Sequence, residues 1–503
     1  MTNETSDAPA ATSPGGRASY GGAASLPRST PPERGLDPAA VGRFLDAVQA
    51  RGVELHSLML VRHGSVVAEG WWAPYEPSGL HLLYSLSKSF TATAVGLAVE
   101  ERRLSVDDLV TSFFPGRVPS DVHPYVAQLK VRDLLSMATG HHEDTLERVD
   151  RHDLVRSFLA LPPEEEPGTW FTYNNGATLM LSAIVTKLTG ERVLDYLRPR
   201  LLEPLGITDA YWQQIPDGDG GDPDLRHLDL GFSGLHLATE SIAKFGQLFL
   251  SRGVWQGEQL VAEDWVRDAS RVQVDNPREP EPDWRQGYGY QFWMGREGYR
   301  GDGAFGQFCI VLPDVDTVLA LTSATENMQA ILDCVWSELY PALQSEDGGT
   351  GEEASAELQA RLGVLTLPLA TGDHNAGIEL PWLAASPTTG RQEGTTRIES
   401  IEEAADGWRL TLADEHATYA VGCGFQTWAR SEVEVWPGAR LQVAASGAWS
   451  DPTTFTAEVA MVQTPHRLTL TCDTATGSTT AQWNVAPLGP TSPSALAFRL
   501  ADD

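Results

Sequence analysis

Helical and alternating hydrophobic spacings divide the 503-residue chain into two stretches of different character. From Asp37 to Leu343, runs with apolar residues three and four apart dominate, interrupted by a few strand-like segments. Asp37-Pro38 is an N-cap followed by a first-turn proline, and predicts a helix to about Ala50. Ser57-Leu-Met-Leu-Val-Arg-His-Gly-Ser-Val-Val-Ala-Glu69 reads as two strands around a turn, and His81 to Tyr84 as extended chain. Phe90, Ala94, Val95, Leu97 and Ala98 carry helical spacing, as does Leu179 to Leu188, which Gly190 ends. Tyr288 to Thr322 returns to strand patterning, and Ala330 to Leu343 closes as a helix. Beyond Leu343, after a short helix near Ala354 to Leu362, the runs become short and alternating: Trp408–Leu412, Glu432–Val435, Phe455–Met461 and Arg467–Cys472. Gly- and Asp-rich turns separate them, which predicts a small all-β barrel or sandwich.

Helices at one end of an antiparallel sheet make the larger unit α+β, with the sheet assembled from both sequence ends of the domain. The expected organisation is a leader over 1–34, a main domain over 35–344, a linker over 345–353 and a β domain over 354–503. The leader is rich in Ala, Ser, Pro, Thr and Gly and lacks a basic start followed by an apolar core. It therefore reads as disordered rather than as a signal peptide, and a cytoplasmic location is expected. No stretch approaches the roughly 20 apolar residues of a membrane span. A formal charge of −32 disfavours nucleic acids and anionic membrane surfaces as partners; the expected partner is a small-molecule ester or amide, or a peptide, as substrate. Composition does not fix the oligomeric state. Cys309, Cys334, Cys423 and Cys472 show no C-x-x-C spacing and are expected to be reduced, buried thiols.

Chemistry concentrates in two motifs. Ser85-Leu-Ser-Lys88 stands where extended chain gives way to a helix, and residues three apart are neighbours on a helix, so Lys88 reaches the Ser85 hydroxyl. Unpaired N–H groups and the positive end of the helix dipole there favour an oxyanion and disfavour a protonated lysine. This is the Ser-Lys form of nucleophilic catalysis. Tyr173-Asn174-Asn175, between Pro167-Gly168 and the next helical run, supplies a phenol and an amide. Other matches are set aside. Ser241-Ile-Ala-Lys244 repeats the first motif inside an ordinary amphipathic helix. Gly301-Asp-Gly-Ala-Phe-Gly306 has dinucleotide spacing, but β-like residues follow it where a helix is required. Asp217 to Asp224 lacks the acidic residue a calcium loop places last, and His141-His-Glu-Asp144 lacks zinc spacing, so no metal and no cofactor is expected.

Together the motifs resemble the serine β-lactamase and penicillin-binding-protein superfamily, closest to its class C and esterase-like branch. The segments Tyr84–Phe90, Val131–Gly140, Pro167–Asn175, Ser233–Thr239 and Gly287–Trp293 look like that group and come in its order, so the likeness covers roughly Gly35 to Leu343. The resemblance implies a β-lactamase/transpeptidase-like α+β domain. The C-terminal region vaguely resembles the lipocalin-like appendages of some members. For the site it implies Ser85 as acylated nucleophile, Lys88 as its proton acceptor and Tyr173 as proton relay, with Asn175 holding Lys88 and the substrate carbonyl. The N–H groups of Ser85 and Ala304 would form the oxyanion hole, and Phe305 an apolar wall. Trp170 and Tyr290 are further candidates for an apolar cleft, and the His141–Asp144 loop borders the pocket.

The third motif departs from the family: Gly301-Asp302-Gly303 stands where Lys-Thr-Gly or His-x-Gly belongs, so the usual cation is missing. Asp302 is a candidate to face a substrate amine, while Arg300 is expected on the opposite face or in solvent. The leading functional reading is a serine hydrolase acting on a small ester or amide. An acyltransferase or peptide cyclase using the same acyl-enzyme, and a non-catalytic binding protein on this fold, are the alternatives.

Overall fold

A computed structural model describes residues 25–150, 152–215, 222–345, 348, 351–375 and 396–499. Most of the leader, part of the acidic 217–224 loop and part of the 345–353 linker lie outside the described residues. A six-stranded antiparallel sheet organises the first two-thirds of the chain. Its strands run in the order Ser65–Trp71, Glu54–Arg62, Thr317–Ala324, Gln307–Leu312, Tyr299–Gly303 and Trp293–Met294. Leu58 pairs with Leu321 across the two central strands, so the sheet is indeed built from both ends of this region.

Side chains alternate between the sheet's two covered faces. Leu58, Leu60, Ile310, Leu319 and Leu321 pack on one side with helix Pro38–Ala50, which Asp37 caps by accepting from the Ala39 N–H. Met59, Val61, Cys309, Val311 and Ala320 face the other side, where helices Ser87–Glu100, Asn175–Thr189 and Thr239–Leu250 lie. Helix Ser87–Glu100 is buried all round its first three turns, not along a single stripe, which places Lys88 inside the protein. Ser241 and Lys244 sit on the amphipathic helix Thr239–Leu250, as expected, with Lys244 Nζ donating to the Gly206 carbonyl. The expected closing helix is divided into Met328–Cys334, a wider turn over Val335–Leu339, and Tyr340–Leu343.

The C-terminal region is all β: one nine-stranded sheet curled into a half-barrel around Trp408, Leu410, Val443, Phe455 and Leu470. Its side chains alternate half-buried and buried along Arg467–Asp473 and over most of Thr454–Met461, as the sequence pattern predicts. The half-barrel lies against the six-stranded sheet, with Arg467 paired to Glu54 at 2.6 Å. The four cysteines are buried and unpaired. Among the described residues, no helix is long and apolar enough to cross a membrane.

Candidate active site

Tyr84, Ser85 and Leu86 form one 3-10 turn that runs directly into helix Ser87–Glu100, so Ser85 precedes the helix rather than capping it. The Ser87 hydroxyl is occupied elsewhere: it donates to the Tyr84 carbonyl at 2.6 Å and accepts the Leu235 N–H at 3.0 Å. One turn on, Lys88 is 1% exposed, and its Nζ lies 2.9 Å from Ser85 Oγ. The same nitrogen is 2.7 Å from Asn175 Oδ1 and 2.9 Å from the Phe232 carbonyl oxygen. It also sits 4.6 Å from the centroid of the Tyr173 ring. Serine, lysine, tyrosine and asparagine from the two sequence motifs are therefore brought together.

The Asn pair divides its work. Asn174 is fully buried and caps helix Asn175–Thr189, its Oδ1 accepting from Ala177 N and from Thr145. Such caps contribute about 1 kcal/mol. Asn175 Nδ2 donates to Asp144 Oδ2 at 2.6 Å, and its backbone N–H donates to Asp144 Oδ1 at 2.9 Å. That carboxylate fixes the amide with its oxygen towards Lys88. Asp144 is thus the member of the His141–Asp144 loop that reaches the site. His141 is buried between Thr139 and the Leu161 carbonyl, and His142 stacks at 4.3 Å on Trp170.

One contributor has no side-chain signature in the sequence. The Phe232 carbonyl reaches Lys88 because its loop is pinned to the helix by Thr91, whose hydroxyl donates to the Gly231 carbonyl at 2.8 Å. The Leu235 bond to Ser87 holds the other side of that loop. An aromatic wall backs Tyr173: Trp293 stacks on it at 5.3 Å, and Tyr288 meets it edge-on at 6.2 Å.

Electrostatics separate the two titrating partners. Burial drives the Lys88 amine down from its ordinary range to about 7, against the opposing pull of Asp144 and Asp302. The Tyr173 phenol moves the other way, pushed well above its usual value by burial and then by Asp302, although a hydrogen bond with Ser85 offsets part of the rise.

The strand Tyr299–Gly303, which carries the third motif, corrects one expectation. Arg300 is 1% exposed and lies on the same face as Asp302, two residues away, not on the opposite face or in solvent. Its Nε donates to Asp302 Oδ2 at 3.0 Å, its Nη1 to the Asp283 and Met294 carbonyls, and its guanidinium stacks 4.5 Å above Trp284. Burial of this strand makes the pairing necessary, because an isolated charge there would be strongly disfavoured. Gly303 presses on the nucleophile turn: a Cβ there would lie 2.0 Å from the Leu83 carbonyl oxygen. Only glycine permits so close an approach of this strand to the turn that carries Ser85. The Phe305 ring packs on Tyr84 and His466, while Tyr290 packs on Trp265 in the core. Trp170 is clasped between His142 and Arg278, the latter 3.6 Å from its centroid.

The Beta-lactamase family model matches residues 40–332, more than half of the chain. A 6-aminohexanoate-dimer hydrolase of Paenarthrobacter ureafaciens is 24% identical over 297 residues, covering 53% of this chain and 72% of that protein. Penicillin-binding protein 4 of Amycolatopsis lactamdurans is 27% identical over 269 residues, covering 47% and 70% respectively. Among solved structures, a penicillin-binding protein homologue from Pyrococcus abyssi superposes with a TM-score of 0.47 at 17% identity, covering 86% of this chain and 97% of that one. The chain belongs to the β-lactamase family of serine hydrolases.

Proposed function

We propose that the protein cleaves a small ester or amide through an acyl-enzyme formed on Ser85. The observation that carries this reading is the arrangement of acceptors around Lys88. The Phe232 carbonyl oxygen can only accept hydrogen bonds, and so can Asn175 Oδ1, whose amide orientation Asp144 sets. A neutral amine has two N–H groups and one lone pair. With both N–H groups given to those oxygens, the lone pair is left for the Ser85 hydroxyl 2.9 Å away. An amine titrating near 7 is available in that form at neutral pH.

In the first step Lys88 takes the Ser85 proton as Oγ attacks the acyl carbon. The N–H groups of Ser85 and Ala304 receive the developing oxyanion, donors whose removal typically costs about 3 kcal/mol each. The Tyr173 phenol keeps its proton at neutral pH and so serves as the acid that protonates the leaving group. It is reloaded from Lys88, and water then reverses the sequence to release the acid. In the family this chain resembles, the third-motif cation helps keep the tyrosine deprotonated. Here the absence of a third-motif cation, with Asp302 in its neighbourhood, favours the protonated phenol.

The Arg300–Asp302 pair leaves no unpaired cation on that strand to bind a substrate carboxylate, which argues against β-lactams and in favour of acyl compounds without a carboxylate. The relative described as a 6-aminohexanoate-dimer hydrolase supports hydrolysis as the reaction class. The acidic balance of the chain supports a small-molecule partner over nucleic acid or membrane.

The test is fluorophosphonate labelling and p-nitrophenyl ester turnover by wild type, Ser85→Ala and Lys88→Ala. Labelling and turnover should vanish in the first variant and fall at least about a hundredfold in the second. Labelling that persists without Ser85 refutes the proposal. Adding an amine acceptor to the ester assay separates hydrolysis from acyl transfer.

A further inference from the structure

The half-barrel reaches the segment that carries Ser85. The turn between strands Thr454–Met461 and Arg467–Asp473 docks against it at three points: the Leu82 N–H donates to the Gln463 carbonyl at 2.8 Å, the Tyr75 hydroxyl donates to the Thr464 carbonyl at 2.9 Å, and His466 Nε2 lies 2.6 Å from the Tyr84 hydroxyl. The direction of the third contact follows from the other ring nitrogen. His466 Nδ1 is 2.9 Å from the Val485 carbonyl oxygen, which can only accept, so Nδ1 carries the proton of the neutral ring. Nε2 is then the acceptor, and the Tyr84 hydroxyl donates to it.

Three rings close on one another there. Tyr84 and Phe305 meet edge-on at 5.4 Å, Phe305 and His466 at 5.5 Å, and Tyr84 and His466 at 6.0 Å. Tyr84, Phe305 and Val485 belong to a small apolar cluster of their own, with Ala304 packed against it. Tyr84 immediately precedes Ser85, and Phe305 immediately follows Ala304. Both aromatic residues hold left-handed backbone conformations, with φ of 48° and 66°, which bulky side chains adopt only when their surroundings impose it.

We propose that His466 is a positioning residue for the reaction: by accepting the Tyr84 hydroxyl and packing on Phe305, it fixes the two backbone segments whose N–H groups face the substrate oxyanion. The half-barrel is then part of the active-site framework rather than an appendage. This inference rests on the assignment of Ser85 as nucleophile. Burial keeps the His466 ring neutral at neutral pH, consistent with its acceptor role.

The experiment uses the full chain and p-nitrophenyl butyrate, comparing wild type with His466→Ala, His466→Gln, Tyr84→Phe and Ser85→Ala. Misplacement of the oxyanion donors should lower kcat about tenfold or more in His466→Ala and Tyr84→Phe, with KM changed less than about threefold. The glutamine variant, which keeps an acceptor at that reach, should recover to within about threefold of wild type. Tyr84→Phe removes one hydroxyl and no apolar surface, so it reports even if His466→Ala does not fold. If Ser85→Ala is inactive while Tyr84→Phe stays within about twofold of wild type, the positioning role is overturned and the nucleophile assignment stands. Losses that follow KM and melting temperature together, without rescue by glutamine, also overturn it. A fully active Ser85→Ala removes the nucleophile assignment and this inference with it.

Discussion

The acidic limb of the pH–rate profile is the most direct measure of whether burial turns Lys88 into a base. Moving the amine from 10.5 to about 7 corresponds to roughly 5 kcal/mol of preference for its neutral form. With a midpoint near 7, the neutral fraction is about 1% at pH 5, about 9% at pH 6, about half at pH 7 and about 90% at pH 8. For a short p-nitrophenyl ester, kcat/KM should therefore rise about tenfold per unit below pH 6 and level off above about 8. An unshifted lysine would instead keep the rate climbing to pH 10. Asp144 and Asp302 both favour the charged amine, so replacing either by asparagine should move the limb to lower pH, even where the plateau rate drops. The assay is initial-rate kinetics from pH 5 to 9.5, corrected for spontaneous hydrolysis, with Ser85→Ala as background. A flat profile from pH 5 to 8, or a limb centred above about 8.5, would refute the reasoning.

Three further outcomes are expected. Asp302→Asn should reduce the preference for ammonium-bearing over neutral esters of equal size by about threefold or more, read as the ratio of kcat/KM values; an unchanged ratio removes substrate-amine recognition by this carboxylate. Gly303→Ala places a methyl group against the Leu83 carbonyl and should cost at least about 2 kcal/mol in urea unfolding, or displace the strand and abolish fluorophosphonate labelling; a stable, fully active variant would contradict the close approach. His466 titrates near 4 in the folded chain against 6.5 when free, so the unfolded state takes up the proton first: its contribution is intact above about pH 6.5 and is lost as pH falls towards 4. Between pH 7.5 and 5, wild type should lose about 2 kcal/mol more stability than His466→Gln, measured by urea titration at each pH.

The sequence by itself determined what short-range spacing can encode. Three residues of helical separation suffice to put Lys88 beside Ser85, and the Tyr173–Asn175 triplet announces its phenol and amide because a turn and a helix start flank it. Period-2 patterns likewise determined the half-barrel strands at 408–412, 432–435, 455–461 and 467–472, and the 3.6-residue period determined helix Pro38–Ala50, since one face of each is more buried than the other. Only the tertiary structure decided the chemical state of the site. Lys88 is shifted because packing encloses it on every side, and its third neighbour is a backbone carbonyl, Phe232, for which no side-chain pattern exists. Asp144 has no role of its own in a sequence that only sets its loop at the border of the pocket; the fold places it on Asn175, 31 positions away. Arg300 was assigned to the wrong environment because strand alternation gives a shared face with Asp302 but not whether that face is covered. The bond from Tyr84 to His466 spans 382 residues, and nothing in local spacing records a contact made when two sheets pack together.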